Sequence, residues 1–104
     1  MNSTLDLAYL FEHAPCGLVT TQTDGTILRA NATFCGWLGY SLEEIVDKRK
    51  IQELFTIGGR FFHHTHWAPL LQLQGSVSEV QIDIKAKNGS VLPMLINGSR
   101  HQQG

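Results

Sequence analysis

The stretch 24–44 constrains the fold of this chain more than any other part of its sequence. Asp24 and Gly25 supply the backbone freedom that a tight turn needs, and strand-forming residues follow them. Asn31 can accept hydrogen bonds from the free N–H groups at the start of a helix. This order predicts a turn, a short strand and an Asn-capped helix over 32–38.

A second helix start follows at once. Gly39 is placed to end the first helix. Ser41 with Glu44 three residues later fits a capping box, which predicts a helix over 42–47. A further short helical segment is expected over 51–55.

The residues before the turn predict a strand and an N-terminal helix. The β-branched run 18–21 should pair antiparallel with 27–29 across the turn. Pro15 and Gly17 would end an amphipathic helix before it. The apolar positions of that helix are Leu5, Leu7, Ala8, Leu10 and Phe11.

A longer helical pattern runs over 60–73. Its apolar stripe comprises Phe62, His66, Leu70 and Leu73. Gly58-Gly59 predicts a hinge-like break before the helix, and Gly75 ends it. Pro69 lies inside the pattern and removes one backbone donor, so the helix should kink or open there.

The C-terminal segment predicts a hairpin whose register follows from its apolar residues. A two-residue loop at Asn88-Gly89 would place the apolar residues of the second strand on the same face as the polar residues of the first. A three-residue loop, with Gly89 in the left-handed position, pairs Ile84 with Leu92 and Ile82 with Met94. We expect this second register because it places the two apolar sets on one face.

Composition sets the outer limits. The 104 residues suffice for one domain with a modest core, and the net charge of −1 offers no footprint for nucleic acid. No apolar run approaches the ~20 residues of a membrane helix. Cys16 and Cys35 match neither a zinc site nor a CxxC motif, which predicts two buried, reduced thiols and a cytoplasmic location.

Taken in order, the motifs at 24–34, 38–44 and 87–90 resemble those of the PAS family of sensory domains. The resemblance implies an α+β PAS fold, with an antiparallel sheet and helices packed on one of its faces. The whole of 1–104 would be one sensor domain, with an N-terminal helix over 1–13 and a PAS core over 17–100.

The family's sheet has five strands, whereas this sequence yields four. The fifth strand normally lies between the first strand and the hairpin, and about ten further residues would be needed to form it. The sequence therefore predicts a PAS core that is cut short at its C-terminal end. The edges left open would invite pairing with another chain.

In PAS domains the sheet and the helices enclose a ligand pocket, so the resemblance implies a pocket for a small apolar ligand. A plain core is the simpler interpretation of the same residues, and both hold if the cavity lies within the core. The expected lining consists of Phe34, Leu38, Leu54, Ile57, Phe62, His66, Ile82, Ile84, Met94 and Ile96.

The cofactor is left open. Flavin-binding members carry a reactive Cys after the second helix, but 45–52 contains neither Cys nor Asn, so flavin photochemistry is not expected. Haem-binding members use a His of the long helix, and only His66 lies on the apolar stripe. We expect His66 to be a hydrogen-bonded core residue, with haem ligation as the alternative, and His63 and His64 to face solvent. No metal site is expected.

Two classes of function remain open. The favoured one is a regulatory module that binds a small ligand, or none, and controls an attached enzyme. The other is a standalone enzyme or carrier, with haem on His66 as its concrete form. No catalytic residues are expected in this chain, because its acidic side chains are scattered and no nucleophile or phosphate motif is present.

The resemblance also implies partners. The pattern over 62–75 is similar to that of modules attached to GGDEF diguanylate cyclases, and a sensor histidine kinase or a serine phosphatase is the alternative output. A homodimer is expected, with a monomer whose helix folds back on its own sheet as the alternative. The dimer surface would use Leu5, Leu7, Ala8, Leu10, Phe11, Val91 and Leu95.

Overall fold

The computed structural model describes residues 3–100, with side chains from residue 7 onward. Within this range the chain forms two compact units. The first contains 3–51 and the loop Ala86–Gly89, and the second contains 52–85 and 90–100. Four strands occur in the described residues, and they form two separate two-stranded antiparallel sheets rather than the single sheet that was predicted.

The first unit has three helices and two strands. They are α1 (Ser3–His13), β1 (Val19–Thr21), β2 (Ile27–Ala30), α2 (Ala32–Leu38) and α3 (Leu42–Ile45). β1 pairs with β2 across the predicted turn, with one irregularity between Thr20 and Thr21. Ile27, Leu38 and Ile45 are almost fully buried and form the centre of this unit.

The two capped helices begin where the sequence predicts. Asn31 Oδ1 accepts from the Phe34 N–H at 3.0 Å, and the Ser41 N–H donates to Glu44 Oε1 at 2.9 Å. α3 ends two residues earlier than predicted because its continuation pairs elsewhere: the Asp47 N–H donates to the Ile27 carbonyl at 2.7 Å. Asp47 itself takes a left-handed conformation, with φ of 61°.

The second unit contains a long helix and a hairpin. A short 3₁₀ turn (Ile51–Leu54) leads into α4 (Ile57–Phe62), a π-helical turn (His63–Trp67) and α5 (Ala68–Gln74). The hairpin consists of β3 (Ser76–Lys85) and β4 (Val91–Ser99). The Thr56 N–H, which precedes α4, donates to the Asp83 carbonyl of β3 at 3.1 Å.

The predicted hairpin register is confirmed. Ile84 pairs with Leu92, Ile82 with Met94 and Val80 with Ile96. Gly89 has a φ of 92°, and its N–H donates to the Ala86 carbonyl at 2.9 Å. Only glycine adopts this conformation at little cost, which is why the three-residue loop is favoured.

The predicted break at Gly58-Gly59 is wrong, because both residues lie inside α4. Gly59 is buried against β3, where an added Cβ would lie 3.0 Å from Ile82 Cγ2 and 3.1 Å from the Asp83 carbonyl oxygen. The glycine thus allows a close approach of helix and strand. The predicted opening near Pro69 is confirmed, since the π turn lies directly before α5.

Candidate functional site

The residues predicted to line a ligand pocket fall into three groups by exposure. Ile57 and His66 are exposed, and Phe62, Met94 and Ile96 are half-buried. The buried members are Phe34 and Leu38 in the first unit, and Leu54, Ile82 and Ile84 in the second. The burial of Ile84, at 2% exposure, agrees with the register on which the prediction was based.

Ile57 and His66 were predicted to face inward, and for both the prediction is wrong. Ile57 is 86% exposed at the start of α4, next to the capping residue Thr56. His66 is exposed as well, and its ring stacks on Phe62 with centroids 5.0 Å apart. An imidazole in solvent does not meet the need of haem ligation for a ligand that faces a cavity.

His63 takes the partly buried position that was predicted for His66. Its ring packs on Phe55 with centroids 5.4 Å apart. Burial, with a smaller contribution from the nearby charge of His64, lowers the pKa of His63 below its usual value. The π turn, whose hydrogen bond spans five residues instead of four, moves His66 off the buried face, whereas His63 lies four residues after the buried Gly59 and stays on it.

The second unit contains an open groove of about 280 Å³ beside the start of α4. Two of its residues, Phe62 and Ile82, belong to the predicted pocket. The groove is lined by Thr56, Gly58, Gly59, Phe62, Gln81, Ile82 and Asp83. Its mixed polar and apolar walls could hold a small amphipathic molecule.

The outer positions of β4 remain exposed, as the register predicted. Val91 is 52% exposed and Leu95 is 66% exposed. Their neighbours Leu92, Met94 and Ile96 are half-buried, so the strand alternates as expected for a two-faced sheet.

Asn31 does much more than cap α2. Its Oδ1 accepts from the Leu18 N–H as well as from the Phe34 N–H, each at 3.0 Å. Its Nδ2 donates to the carbonyls of Phe11 and Cys16, each at 2.9 Å. All four hydrogen-bonding positions of the buried amide are therefore used, and they tie the end of α1 to the start of α2.

The predicted dimer residues on α1 differ in exposure. Leu7 is 68% exposed and Leu10 is 63% exposed, whereas Phe11 is half-buried beside the Asn31 contact. Ala8 is exposed, and the side chain of Leu5 lies outside the described residues. Tyr9, which the sequence did not single out, is 64% exposed and packs on His13 with ring centroids 4.4 Å apart.

One ion pair holds the hairpin loop to the capped helices of the first unit. Lys87 Nζ lies 2.6 Å from Glu44 Oε2, and the Lys87 N–H donates to the Leu38 carbonyl at 2.8 Å. The hydrogen bond from Lys87, followed by that from the Ser41 N–H, lowers the pKa of Glu44 to about 2. Glu44 thus serves both the loop and the helix start.

The sequence carries the signature of a known family along most of its length. The family model for the PAS domain matches residues 15–103. This chain belongs to the PAS domain family. PAS domains are sensory modules rather than catalytic ones, which agrees with the prediction that this domain is not itself an enzyme.

The PAS domain is similar to part of a bacterial phosphatase. It is 34% identical over 92 residues to phosphoserine phosphatase RsbP of Bacillus subtilis, a match that covers 88% of this chain and 23% of the phosphatase. The chain therefore spans about a quarter of the length of that relative.

Solved PAS structures share its fold. The PAS domain of an HTR-like protein from Haloarcula marismortui has a TM-score of 0.71 at 26% identity, over 91% of this chain and 81% of that one. A domain of a sensory box sensor histidine kinase/response regulator from Geobacter sulfurreducens has a TM-score of 0.76 at 18% identity, with the same coverage. The latter likeness shows the fold alone.

Further observations concern metals, thiols and membranes. Among residues 3–100, no three or more His, Cys, Asp or Glu side chains converge as metal ligands. In the same range no helix is both long and apolar enough to cross a bilayer.

The two thiols differ in exposure. Cys35 is half-buried, whereas Cys16 is exposed. The prediction of two buried thiols is therefore wrong for Cys16, because its segment runs along the surface between α1 and β1.

Sequence reasoning missed two features of this PAS domain. It assigned Asn31 only to the capping of the helix that follows, whereas its amide also bonds the backbone of Phe11, Cys16 and Leu18. It also missed Trp67, which is buried in the second unit. The α-helical period placed Trp67 off the apolar stripe, and Pro69 indicated an opening of the helix without showing which side chains it would bury.

Proposed function

We propose that this PAS domain is the signal-sensing regulatory module of a larger cytoplasmic bacterial signalling protein. The observation that carries the proposal is the family match over 15–103, together with a phosphatase relative of which the chain spans 23%. A sensory domain of this size acts through a domain attached to it. The regulated activity would belong to that attached domain.

The sensed ligand would be small and largely apolar. Support comes from the second unit, where the inner face of the hairpin presents Ile82, Ile84, Met94 and Ile96, and the helical segments add Leu54 and Phe62. Met94 and Ile96 are only half-buried, so this face is not fully packed. Native mass spectrometry of the purified chain tests the proposal. The native mass should exceed the mass of the chain by that of a small molecule, and the excess should disappear on denaturation.

Self-association would use the surface of α1. Leu7 and Leu10 lie one turn apart and are both mostly exposed, and the fourfold-bonded Asn31 fixes the end of the helix to the domain. Val91 and Leu95 offer a second exposed apolar surface on β4. A shift transmitted through such a dimer could reach paired output domains.

Light scattering at ~10–100 μM tests the dimer, because the Kd values of weak interfaces fall in this range. The chain should have about twice its monomer mass of 11.6 kDa. A Leu7→Glu, Leu10→Glu variant should be monomeric. Leu73→Glu is the control, and it should leave the mass unchanged. Leu73 belongs to the other unit and is 83% exposed. A single mass of 11.6 kDa at all concentrations would contradict the proposal.

Two outputs are favoured by separate observations. The pattern over 62–75 supports a GGDEF diguanylate cyclase, and the 34% identity to RsbP supports a serine phosphatase. A sensor histidine kinase remains the third candidate. The full-length protein should be assayed for cyclic dinucleotide synthesis from GTP, phosphoserine hydrolysis and autophosphorylation with ATP.

The regulatory role itself is tested with variants of this domain in the full-length protein. Leu7→Glu with Leu10→Glu should change the rate of the attached enzyme without removing its catalytic groups. An output rate that is unchanged by this variant, and by replacement of the entire domain with a flexible linker, would rule out a regulatory role.

A further inference from the structure

The helix over 57–74 contains an irregularity at its centre. The Ala68 N–H donates to the His63 carbonyl, five residues back, where an α-helix would use a carbonyl four residues back. Phe62, His63, Trp67 and Ala68 all keep right-handed helical angles, so α4, the π turn and α5 form one continuous helix. π turns are rare and occur frequently at functional sites.

The π turn determines which side chains of this helix are buried. Gly59 and Trp67 are buried, and His63 and Leu71 are half-buried. These four residues are spaced four apart along the chain, which is the repeat expected when a wider turn interrupts an α-helix. Meanwhile His66 is exposed, Leu73 is 83% exposed and Leu70 is 36% exposed.

An uninterrupted α-helix would bury a different set. With Gly59 held against β3 and about 100° of rotation per residue, His66, Leu70 and Leu73 would lie within about 40° of Gly59. Trp67 would lie about 80° away. The half of the helix that follows the π turn therefore has two faces with apolar residues, and the structure buries only one of them.

Trp67 holds the observed register through a close contact with β4. A Cβ built on Gly98 would lie 2.5 Å from Cζ2 of the Trp67 ring, so the indole occupies the space that the side chain of any other residue would fill.

The hairpin beside this contact is irregular. Asn97, next to Gly98, accepts from the Glu79 N–H at 2.8 Å. Glu79 has a φ of 57° within a bulge of β3, which is a strained conformation for a residue other than glycine.

Pro69 biases the helix in the same direction. In an α-helix its ring would clash with the carbonyl of Thr65, four residues back. A wider turn immediately before the proline relieves that clash. The Thr65 hydroxyl donates to the Phe61 carbonyl at 2.9 Å and adds a bond within the turn.

We propose that the helix over 57–74 is a two-register switch. In the register seen here Trp67 packs against Gly98, Leu73 is 83% exposed and Leu70 is 36% exposed. In the second register the π turn becomes α-helical, the segment 68–74 rotates by about one residue, and Leu70 and Leu73 turn inward as Trp67 leaves Gly98. Conversion between the two registers changes which apolar side chains the helix exposes. Packed elements with two discrete arrangements can transmit such a change to neighbouring parts of a protein.

The two-register switch does not depend on the output domain or on the dimer. It concerns a property of the chain that can be measured in the absence of any ligand. It assigns distinct roles to Trp67 and Gly98, which hold one register, and to Leu70 and Leu73, which stabilise the other.

The test uses tryptophan fluorescence in a Trp37→Phe background, where Trp67 is the one remaining indole of the two in the sequence. Pro69→Ala removes the bias toward the π turn. Emission from Trp67 should move to longer wavelength, and quenching by acrylamide should increase. Gly98→Ala should cause the same change to a greater extent, because a Cβ at this position expels the indole from its seat.

Leu73→Glu provides the decisive second variant. Added to Pro69→Ala, it should restore the buried emission, because a glutamate would be forced inward in the α register. Alone, it should leave the emission unchanged, since Leu73 is 83% exposed here. An unchanged spectrum in Pro69→Ala, or a change that Leu73→Glu does not reverse, would overturn the proposal.

Thermal unfolding followed by circular dichroism completes the test. Pro69→Ala and Gly98→Ala should both retain a cooperative transition, because the second register is a folded state. Loss of that transition in either variant would also count against the switch.

Discussion

α2 and the helix over 57–74 are held in place by different kinds of interaction. α2 is bounded by its own neighbours: Asn31 bonds the Phe34 N–H at one end, and Gly39, with a φ of 79°, ends it at the other. The long helix is positioned by residues distant in sequence, among them Ile82 and Asp83 at Gly59 and Gly98 at Trp67. Caps therefore determine where a helix begins and ends, while tertiary contacts determine which of its faces is buried.

The largest expected effect is at Asn31. In Asn31→Leu, two N–H donors and two carbonyls lose their partner. The free energy of unfolding should fall by about 4 kcal/mol, since each buried polar group left unsatisfied costs about 1–3 kcal/mol. Urea denaturation measures this loss.

Asn31→Asp is the matched variant. It keeps the acceptors for Leu18 and Phe34 but lacks the donors for the Phe11 and Cys16 carbonyls. Its loss should lie between those of the wild-type chain and Asn31→Leu. A loss below about 1 kcal/mol in Asn31→Leu, the typical value of an N-cap alone, would mean that the contacts to α1 contribute nothing.

Alanine substitutions at the two adjacent glycines of α4 test whether tertiary contacts position the long helix. Gly59→Ala should lower the free energy of unfolding by about 1–3 kcal/mol, because its Cβ would meet Ile82 and the rigid Asp83 backbone. Gly58→Ala should raise it by about 0.5–1 kcal/mol, since nothing lies within 4 Å and alanine is the better helix former. Equal effects of the two changes would show that tertiary contact does not position this helix.

The same contrast explains how far sequence reasoning could go. The start of each capped helix and the hairpin register follow from interactions among close neighbours, as at Asn31, Ser41 and Gly89, and the structure confirms them. The exposure of His66 could not be read from the α-helical period, because the π turn moves this residue off the buried face. Pro69 indicated an opening of the helix, but the contact of Trp67 with Gly98 joins residues distant in sequence, and no local pattern records it.

A smaller effect is expected from the pH dependence of His63. Burial lowers the pKa of His63 in the folded chain, so the unfolded chain binds the proton more readily. Its contribution to stability is therefore present above about pH 6.5, its unfolded value, and is lost as the pH falls below it. His63→Gln should flatten the stability profile between about pH 7.5 and 5.5, a window of ~1 unit on either side of that value.

His66→Gln serves as the control in the same denaturation series. The His66 side chain is exposed, so this variant should keep the pH dependence of the wild-type chain. If His66→Gln flattens the profile and His63→Gln does not, the assignment of the buried imidazole is wrong.

The smallest effect is expected at the Glu44–Lys87 ion pair. The folded pKa of Glu44 is lowered to about 2, below its usual 4.5, so its contribution to stability is present above about pH 4.5 and lost toward pH 2. Lys87→Met should destabilise the chain slightly at neutral pH, with a difference that disappears in acid and at high salt. Lys85→Met, on the exposed side of β3, should show no such pH-dependent difference.

We infer that contacts with the hairpin, rather than the α-helical period of the sequence, decide which face of the long helix is buried. Thiol labelling measures this burial, with single cysteines at 66, 71 and 73 in a chain whose Cys16 and Cys35 are replaced by Ser and Ala. The cysteine at 71 should react slowly and those at 66 and 73 quickly, following the observed burial. Fast labelling at 71 with protection at 66 and 73 would show that the α-helical period sets the buried face.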